Sequence, residues 1–132
     1  MARPVFEFDH SSVSVGDLGE ARAFYGETLG FEELERPEFS FPGVWYRIGH
    51  LSLHLTTGGH LPGGSATLRA NNPHVAIAVE GDLDGFLDEL RSQGVTVKEL
   101  EDSPSALRQA LIKDPWGNVF EFCVNSPSKL EM

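Results

Sequence analysis

The stretch His10-Ser11-Ser12-Val13-Ser14-Val15-Gly16-Asp17-Leu18 decides the fold, because its pattern returns at His74-Val75-Ala76-Ile77-Ala78-Val79 and Gly81-Asp82-Leu83. Each copy opens on a histidine, alternates with a period of two, and breaks at a glycine followed by an aspartate. Alternation of that kind marks a strand with one face buried. Working outward, Gly30 follows His10 by 20 positions and Gly94 follows His74 by the same 20. Each glycine suits the residue just past a helix end. The pattern therefore predicts one helix from Glu20 to Leu29, with Ala23, Phe24 and Leu29 as its apolar face, and another from Leu83 to Gln93.

The remaining elements follow from alternation and turn residues. The first half gives strands at Phe6 to Val15, Phe31 to Glu35, Val44 to Ile48 and Leu51 to Thr57, the last two joined through Gly49-His50. The second half gives strands at Pro73 to Glu80, Val95 to Glu99, Ala106 to Lys113 and Asn118 to Val124, with a turn at Asp114-Pro115-Trp116-Gly117. A Gly-, Pro- and Ser-rich linker spans residues 58–72. Each half reads β-α-β-β-β, so the expected class is α+β. One domain is expected, with module one at about 5–57, module two at about 73–124 and a tail at 125–132. The two modules in tandem would form a concave, partly open sheet with the helices outside.

Composition narrows the partners. The chain has 132 residues, a net charge of -10 and a pI of about 4.8, so it carries no basic stripe for nucleic acid and no attraction to an anionic membrane surface. A single cysteine, Cys123, excludes an intrachain disulfide. No apolar run is long enough to cross a bilayer and the first residues lack a secretory pattern, so a cytoplasmic location is expected.

Strand alternation also sorts side chains by face. His10 sides with Ser12 and Ser14, His54 with Ser52 and Thr56, His74 with Ala76 and Ala78, and Glu121 with Val119 and Cys123. The large apolar residues of those strands point the other way, towards the helices. Imidazole and carboxylate together suit zinc, nickel, iron(II), manganese or cobalt. Open positions on such an ion would let it act as a Lewis acid on substrate oxygens. A strand histidine is also a common hydrogen-bonded structural group, so pattern alone leaves both roles open. Glu121 is harder to explain that way, because a buried carboxylate needs a partner. Pairing across Gly49-His50 puts Trp45 and Arg47 with Ser52 and His54. Pairing across the last turn puts Arg108 near Cys123, or Gln109 if the strand bulges. An arginine there could hold a carboxylate or phosphonate bidentately. The segment from Pro37 to Pro42, with Phe39 and Phe41, is expected to be a loop at the mouth of the hollow.

These pieces resemble the vicinal oxygen chelate superfamily, which includes glyoxalase I, fosfomycin-resistance enzymes, methylmalonyl-CoA epimerase, extradiol dioxygenases and bleomycin-resistance proteins. The matching segments are His10 to Leu18, Ala23-Phe-Tyr-Gly-Glu-Thr-Leu-Gly-Phe31, Leu53-His-Leu55, His74 to Val79, and Asp114-Pro-Trp-Gly-Asn-Val-Phe-Glu-Phe122. The resemblance implies that His10, His54, His74 and Glu121 are the metal ligands, and that the chain is a homodimer with sites at the subunit interface. It implies a metal-dependent enzyme that chelates neighbouring oxygens of a small substrate, with lyase, isomerase or transferase chemistry through an enolate or alkoxide and Glu121 as the first candidate for a base. Trp45, Arg47, Ser52 and Arg108 are the expected substrate contacts. Glyoxalase I usually carries glutamate where this chain has His54. The alternatives are an iron(II) extradiol-type dioxygenase using His10, His74 and Glu121, and a protein that sequesters a drug or metabolite.

Overall fold

Apolar residues on one side of each strand give the helices a surface to cover, and that surface organises both halves of the protein. A computed structural model describes residues 3–63, 68–69, 71–101 and 106–125. The chain divides into two compact units, Met1–Gly59 and His60–Met132. Both are built as βαβββ, so the chain is a tandem α+β repeat.

In the first unit, β1 (His10–Ser14), β2 (Glu32–Leu34), β3 (Gly43–Ile48) and β4 (Leu51–Thr56) form one sheet in the order β1-β4-β3-β2. β1 runs parallel to β4, and the other pairs are antiparallel. Val44, Tyr46, Leu53 and Leu55 make one face and are almost completely buried. The helix that covers them begins as α1 (Leu18–Ala21), capped by Asp17 accepting from the Glu20 amide at 2.7 Å. It continues as a π-helix over Arg22–Thr28. Tyr25 in that wide turn packs on Tyr46, with ring centroids 6.1 Å apart.

In the second unit, β5 (Val75–Ala78), β6 (Lys98–Leu100), β7 (Ala106–Lys113) and β8 (Val119–Asn125) repeat the arrangement as β5-β8-β7-β6, with β5 parallel to β8. Helix α2 (Leu83–Ser92) is capped by Asp82, which accepts from the Gly85 amide at 2.9 Å. It buries Leu83, Leu87 and Leu90, and Phe86 meets Phe122 edge to face at 5.0 Å.

Four details depart from expectation, each for a local reason. The first strand starts at His10 and not Phe6, because His10 pairs with Ser52, one residue from the beginning of β4. Residues before Asp9 run past the end of β4, and Val5, Phe6 and Phe8 are 84–90% exposed. The first helix buries Ala21, Tyr25 and Leu29, while Ala23 is exposed. The bond from the Leu29 amide to the Phe24 carbonyl, five residues back, widens the turn and shifts the phase that a 3.6 period assumes. β6 covers Lys98–Leu100 where the sequence suggested Val95 to Glu99. Finally, the linker is not all loose: Leu68 packs on Leu111 and Val119, and its carbonyl accepts from Lys98 Nζ at 2.9 Å. The tail beyond Asn125 lies outside the described residues.

The turn between β7 and β8 is held by Asp114, whose carboxylate accepts from the Trp116 and Asn118 amides and from Asn118 Nδ2 at 2.7–2.9 Å. Gly117 in this turn has φ +92° and lies so close to the Gly63 backbone that a Cβ would collide with it. Gly117→Ala is expected to lose about 1–3 kcal/mol of stability, from positive-φ strain plus the clash. Denaturant midpoints of the two proteins check this; an unchanged midpoint contradicts it.

Candidate functional site

Alternation leaves one face of the first sheet polar. β1 and β4 pair in register, so His10 lies beside Ser52 and Ser12 beside His54. β3 then sets Trp45 opposite His54 and Arg47 opposite Ser52. The His10 and His54 rings stack at 4.0 Å and 14°, and Trp45 stacks on the far side of His54 at 4.0 Å and 4°. Phe39 adds a tilted ring 6.0 Å from Trp45. His10 Nδ1 lies 2.7 Å from Asp9 Oδ2 and donates to it, which leaves the lone pair on Nε2. His54 Nε2 lies 2.9 Å from Ser52 Oγ. Burial between the two rings lowers the pKa of His54, and the neighbouring His10 adds to the effect. The imidazole is thereby biased to its neutral, ligating form. Trp45, Arg47 and Ser52 line a groove of about 510 Å³ together with Asp9 and His50. In the sequence His50 is legible only as a turn residue between two strands, and Asp9 carries no signal beyond its place next to His10.

The second unit holds the other pair. His74 sits one residue before β5, and its Nδ1 donates to the Asn72 carbonyl at 2.7 Å. In the neutral ring the lone pair is therefore on Nε2, which lies 3.4 Å from Glu121 Oε1. Glu121 is 5% exposed, and its other oxygen accepts from Gln109 Nε2 at 3.1 Å. At that distance the imidazole nitrogen and the carboxyl oxygen can share a proton or hold a divalent ion between them.

The arginines fall differently from the sequence expectation. Arg108 sits opposite Val124 and not Cys123, on the helix side of the sheet. Its Nη2 binds Asp84 at 2.8 Å and Glu99 at 2.6 Å, and these bonds hold both carboxyl pKa values below their usual range. A register shift between Ala106 and Arg108 moves the strand by one, so Gln109 takes the place opposite Cys123. Arg47 does face the groove, but its Nε is bound to Glu32 at 3.2 Å. Cys123 is buried, with its Sγ 3.7 Å from the Ile77 carbonyl.

The donor chemistry fits a divalent ion. His10 and His74 each present Nε2 while Nδ1 is fixed by an oxygen, the arrangement that orients metal-bound imidazoles. Glu121 adds a carboxylate already oriented by Gln109. The pairs remain pairs, however: among the described residues no group of three or more His, Cys, Asp or Glu is gathered to hold a metal. The stacked rings of His10 and His54 lie in near-parallel planes, so as placed their lone pairs do not converge on one ion, and His54 Nε2 must exchange its Ser52 contact to ligate through that atom.

Comparison with known proteins gives the family context. Residues 7–122 match the model of the Glyoxalase/Bleomycin resistance protein/Dioxygenase superfamily. A glyoxalase family protein from Bacillus anthracis is 32% identical, with 96% of this chain and 100% of that chain covered and a TM-score of 0.79. The fosfomycin resistance protein FosX from Listeria monocytogenes, solved as a variant with manganese(II) and 1S,2S-dihydroxypropylphosphonic acid, is 19% identical, with 98% and 100% covered and a TM-score of 0.75. TnmS3, an antibiotic binding protein from Streptomyces sp. CB03234, is 26% identical, with 95% and 100% covered and a TM-score of 0.70. No curated protein sequence matches significantly. No described helix is long and apolar enough to cross a membrane.

The stacked geometry makes His54 titrate abnormally. In the metal-free protein its imidazole is expected to titrate below the ordinary value of about 6.5, and Trp45→Ala should raise it back towards that value. Because the folded pKa is the lower one, this group's contribution to stability is whole above about pH 6.5 and is lost as pH falls through the folded value. An NMR pH titration of the ring protons checks both; a His54 that titrates normally in the parent chain contradicts the effect.

Proposed function

Because the chain belongs to the glyoxalase/bleomycin resistance protein/dioxygenase superfamily, we propose that it is a metal-dependent enzyme of glyoxalase type acting on a small substrate with neighbouring oxygens. His10, His54, His74 and Glu121 are the proposed ligands, in a cytoplasmic homodimer. The observation that carries this reading is the buried Glu121 carboxylate facing His74 Nε2 at 3.4 Å, with both groups held from behind by Gln109 and the Asn72 carbonyl. A bound divalent ion would supply Lewis acidity for an enolate or alkoxide. The chain's own residues supply the rest. Asp9 and the Asn72 carbonyl keep the imidazoles in the tautomer that presents Nε2. Glu121 is the proposed base, with Gln109 steering the carboxylate. Trp45 and Ser52 form the wall along which a substrate lies. Arg108 has no part in this proposal, since its charge is spent on Asp84 and Glu99.

A second reading is favoured by one observation. The Trp45, His54 and His10 rings form a stack, edged by the tilted Phe39 ring, that suits a flat ligand, and a 26% identical relative is an antibiotic binding protein. On that reading the chain sequesters a small molecule without turning it over.

Manganese(II) and zinc binding by calorimetry, with elemental analysis of the purified chain, separates the two. The enzyme reading expects stoichiometric uptake, with His74→Ala and Glu121→Gln each weakening it by well over tenfold. Gln109→Ala should weaken it by about 10-fold, as loss of a supporting hydrogen bond does. A parent chain that takes up neither ion, nor nickel, iron(II) or cobalt, removes the enzyme reading and leaves sequestration.

A further inference from the structure

Among the described residues no carboxylate pairs with Arg36, in a chain that is rich in them. The sequence carries 20 Asp and Glu against 10 Lys and Arg. Arg22, Arg47, Arg91 and Arg108 each lie within 4.0 Å of a carboxylate. Glu35 and Glu38 flank Arg36 closely in sequence, yet among the described residues neither they nor any other acid pairs with it.

Its position is specific. Gly43, Trp45 and Arg47 alternate onto one face of β3, the face that carries His54 and Ser52 on β4. A Cβ on Gly43 would stand 3.0 Å from Arg36 Nε and Cζ. The guanidinium therefore occupies the space left by the missing side chain, on the same face as His54. It lies 4.5 Å from the Phe39 ring centroid and 5.1 Å from that of Phe41, and Nη2 donates to the Phe41 carbonyl at 3.1 Å. Arg36 Nε is buried with no hydrogen-bond partner. Leaving such a donor unpaired is costly, and more so when the group is charged. The two rings over it are 45% and 49% exposed, and they belong to the irregular segment 35–42 between β2 and β3.

We propose that Arg36, beside Gly43 on the sheet face that carries Trp45 and His54, is an anion-binding residue, taking a carboxylate or phosphonate bidentately through Nε and an Nη while the Phe39–Phe41 segment shifts to admit it. This rests on the enzyme or sequestration reading above and narrows its ligand to one with an oxyanion. The planar fork matches two oxygens of such a group, and the Phe39 and Trp45 rings give the attached carbon skeleton a surface to lie on. Arg108, one arginine singled out by pattern, is held on the helix side by Asp84 and Glu99, and Arg47 has its Nε turned to Glu32, so Arg36 is the arginine of this face whose Nε has no partner.

The test is made without metal, so that it stands apart from ligand assignment. Methylphosphonate, propionate and, as a cationic control, methylammonium are titrated into the EDTA-treated chain while the Trp45 indole and His54 ring resonances are followed by NMR. One or both anions should give saturable shifts, and methylammonium should give none; the anion that binds more tightly names the group. Arg36→Met should weaken binding by about tenfold or more, as loss of a charged hydrogen-bonding group does. Arg36→Lys, which retains charge but not the fork, should fall between. A purely structural Arg36 would move the resonances of the free protein but leave the dissociation constants unchanged, and that result overturns the proposal. So does a parent chain with no saturable anion response. Manganese(II) uptake measured on the same samples keeps the two ideas separable: an anion response that depends on Arg36 in a chain that binds no metal upholds this inference and overturns only the metal reading.

Discussion

In each half of this protein the first strand lies parallel to the last, β1 beside β4 and β5 beside β8, and most other features depend on that pairing. Two parallel strands cannot be joined by a tight turn, so the chain between them must cross over, and the helix is that crossover. It covers the face on which Val44, Tyr46, Leu53 and Leu55 alternate, or Phe120 and Phe122 in the second copy. Once one face is committed to the helix, period-two geometry sends every alternate residue to the other face. His10, His54 and Trp45 are neighbours because three strands obey the same rule in register. A slip of one residue in any of them would exchange those side chains for core residues.

The duplication extends to the chemistry of the leading histidines. His10 is oriented by the carboxylate of the residue before it, and His74 by the carbonyl two residues before. In both copies an oxygen from the segment entering the strand takes the Nδ1 proton, so Nε2 is left as the donor atom. The partners then differ. His54 answers His10 with a parallel ring and a neutral imidazole, whereas Glu121 answers His74 with a buried negative charge. One unit thus pairs two stacked imidazoles, and the other an imidazole with a buried carboxyl group.

Charge on the opposite faces is spent on structure. Arg108 ties β7 to α2 and β6 through Asp84 and Glu99, and Arg91 joins the same cluster from α2. These bonds are exposed and individually weak. Their effect is to hold Arg108 on the helix side, which is possible only because the strand is out of simple register before it. Gln109 reaches Glu121 for the same reason. A single shift in the ladder therefore decides both which group is removed from the polar face and which one supports the buried carboxylate.

The sequence by itself determined the βαβββ repeat, the hairpins, the two helices and the faces of His10, Trp45, His54 and Glu121. Those are consequences of local period and turn chemistry, and nothing distant has to be known to read them. It also named the superfamily, through motifs spread over most of the chain. Tertiary structure alone decided the rest. The π-turn over Arg22–Thr28 rotated the buried face from Ala23 to Ala21 and Tyr25, and the start of β4 set where β1 could begin. The shift near Arg108 chose Gln109, and the empty space at Gly43 drew Arg36 onto the His54 face. Each of these depends on what a neighbouring strand or side chain leaves available, and a pattern along one strand carries no record of that.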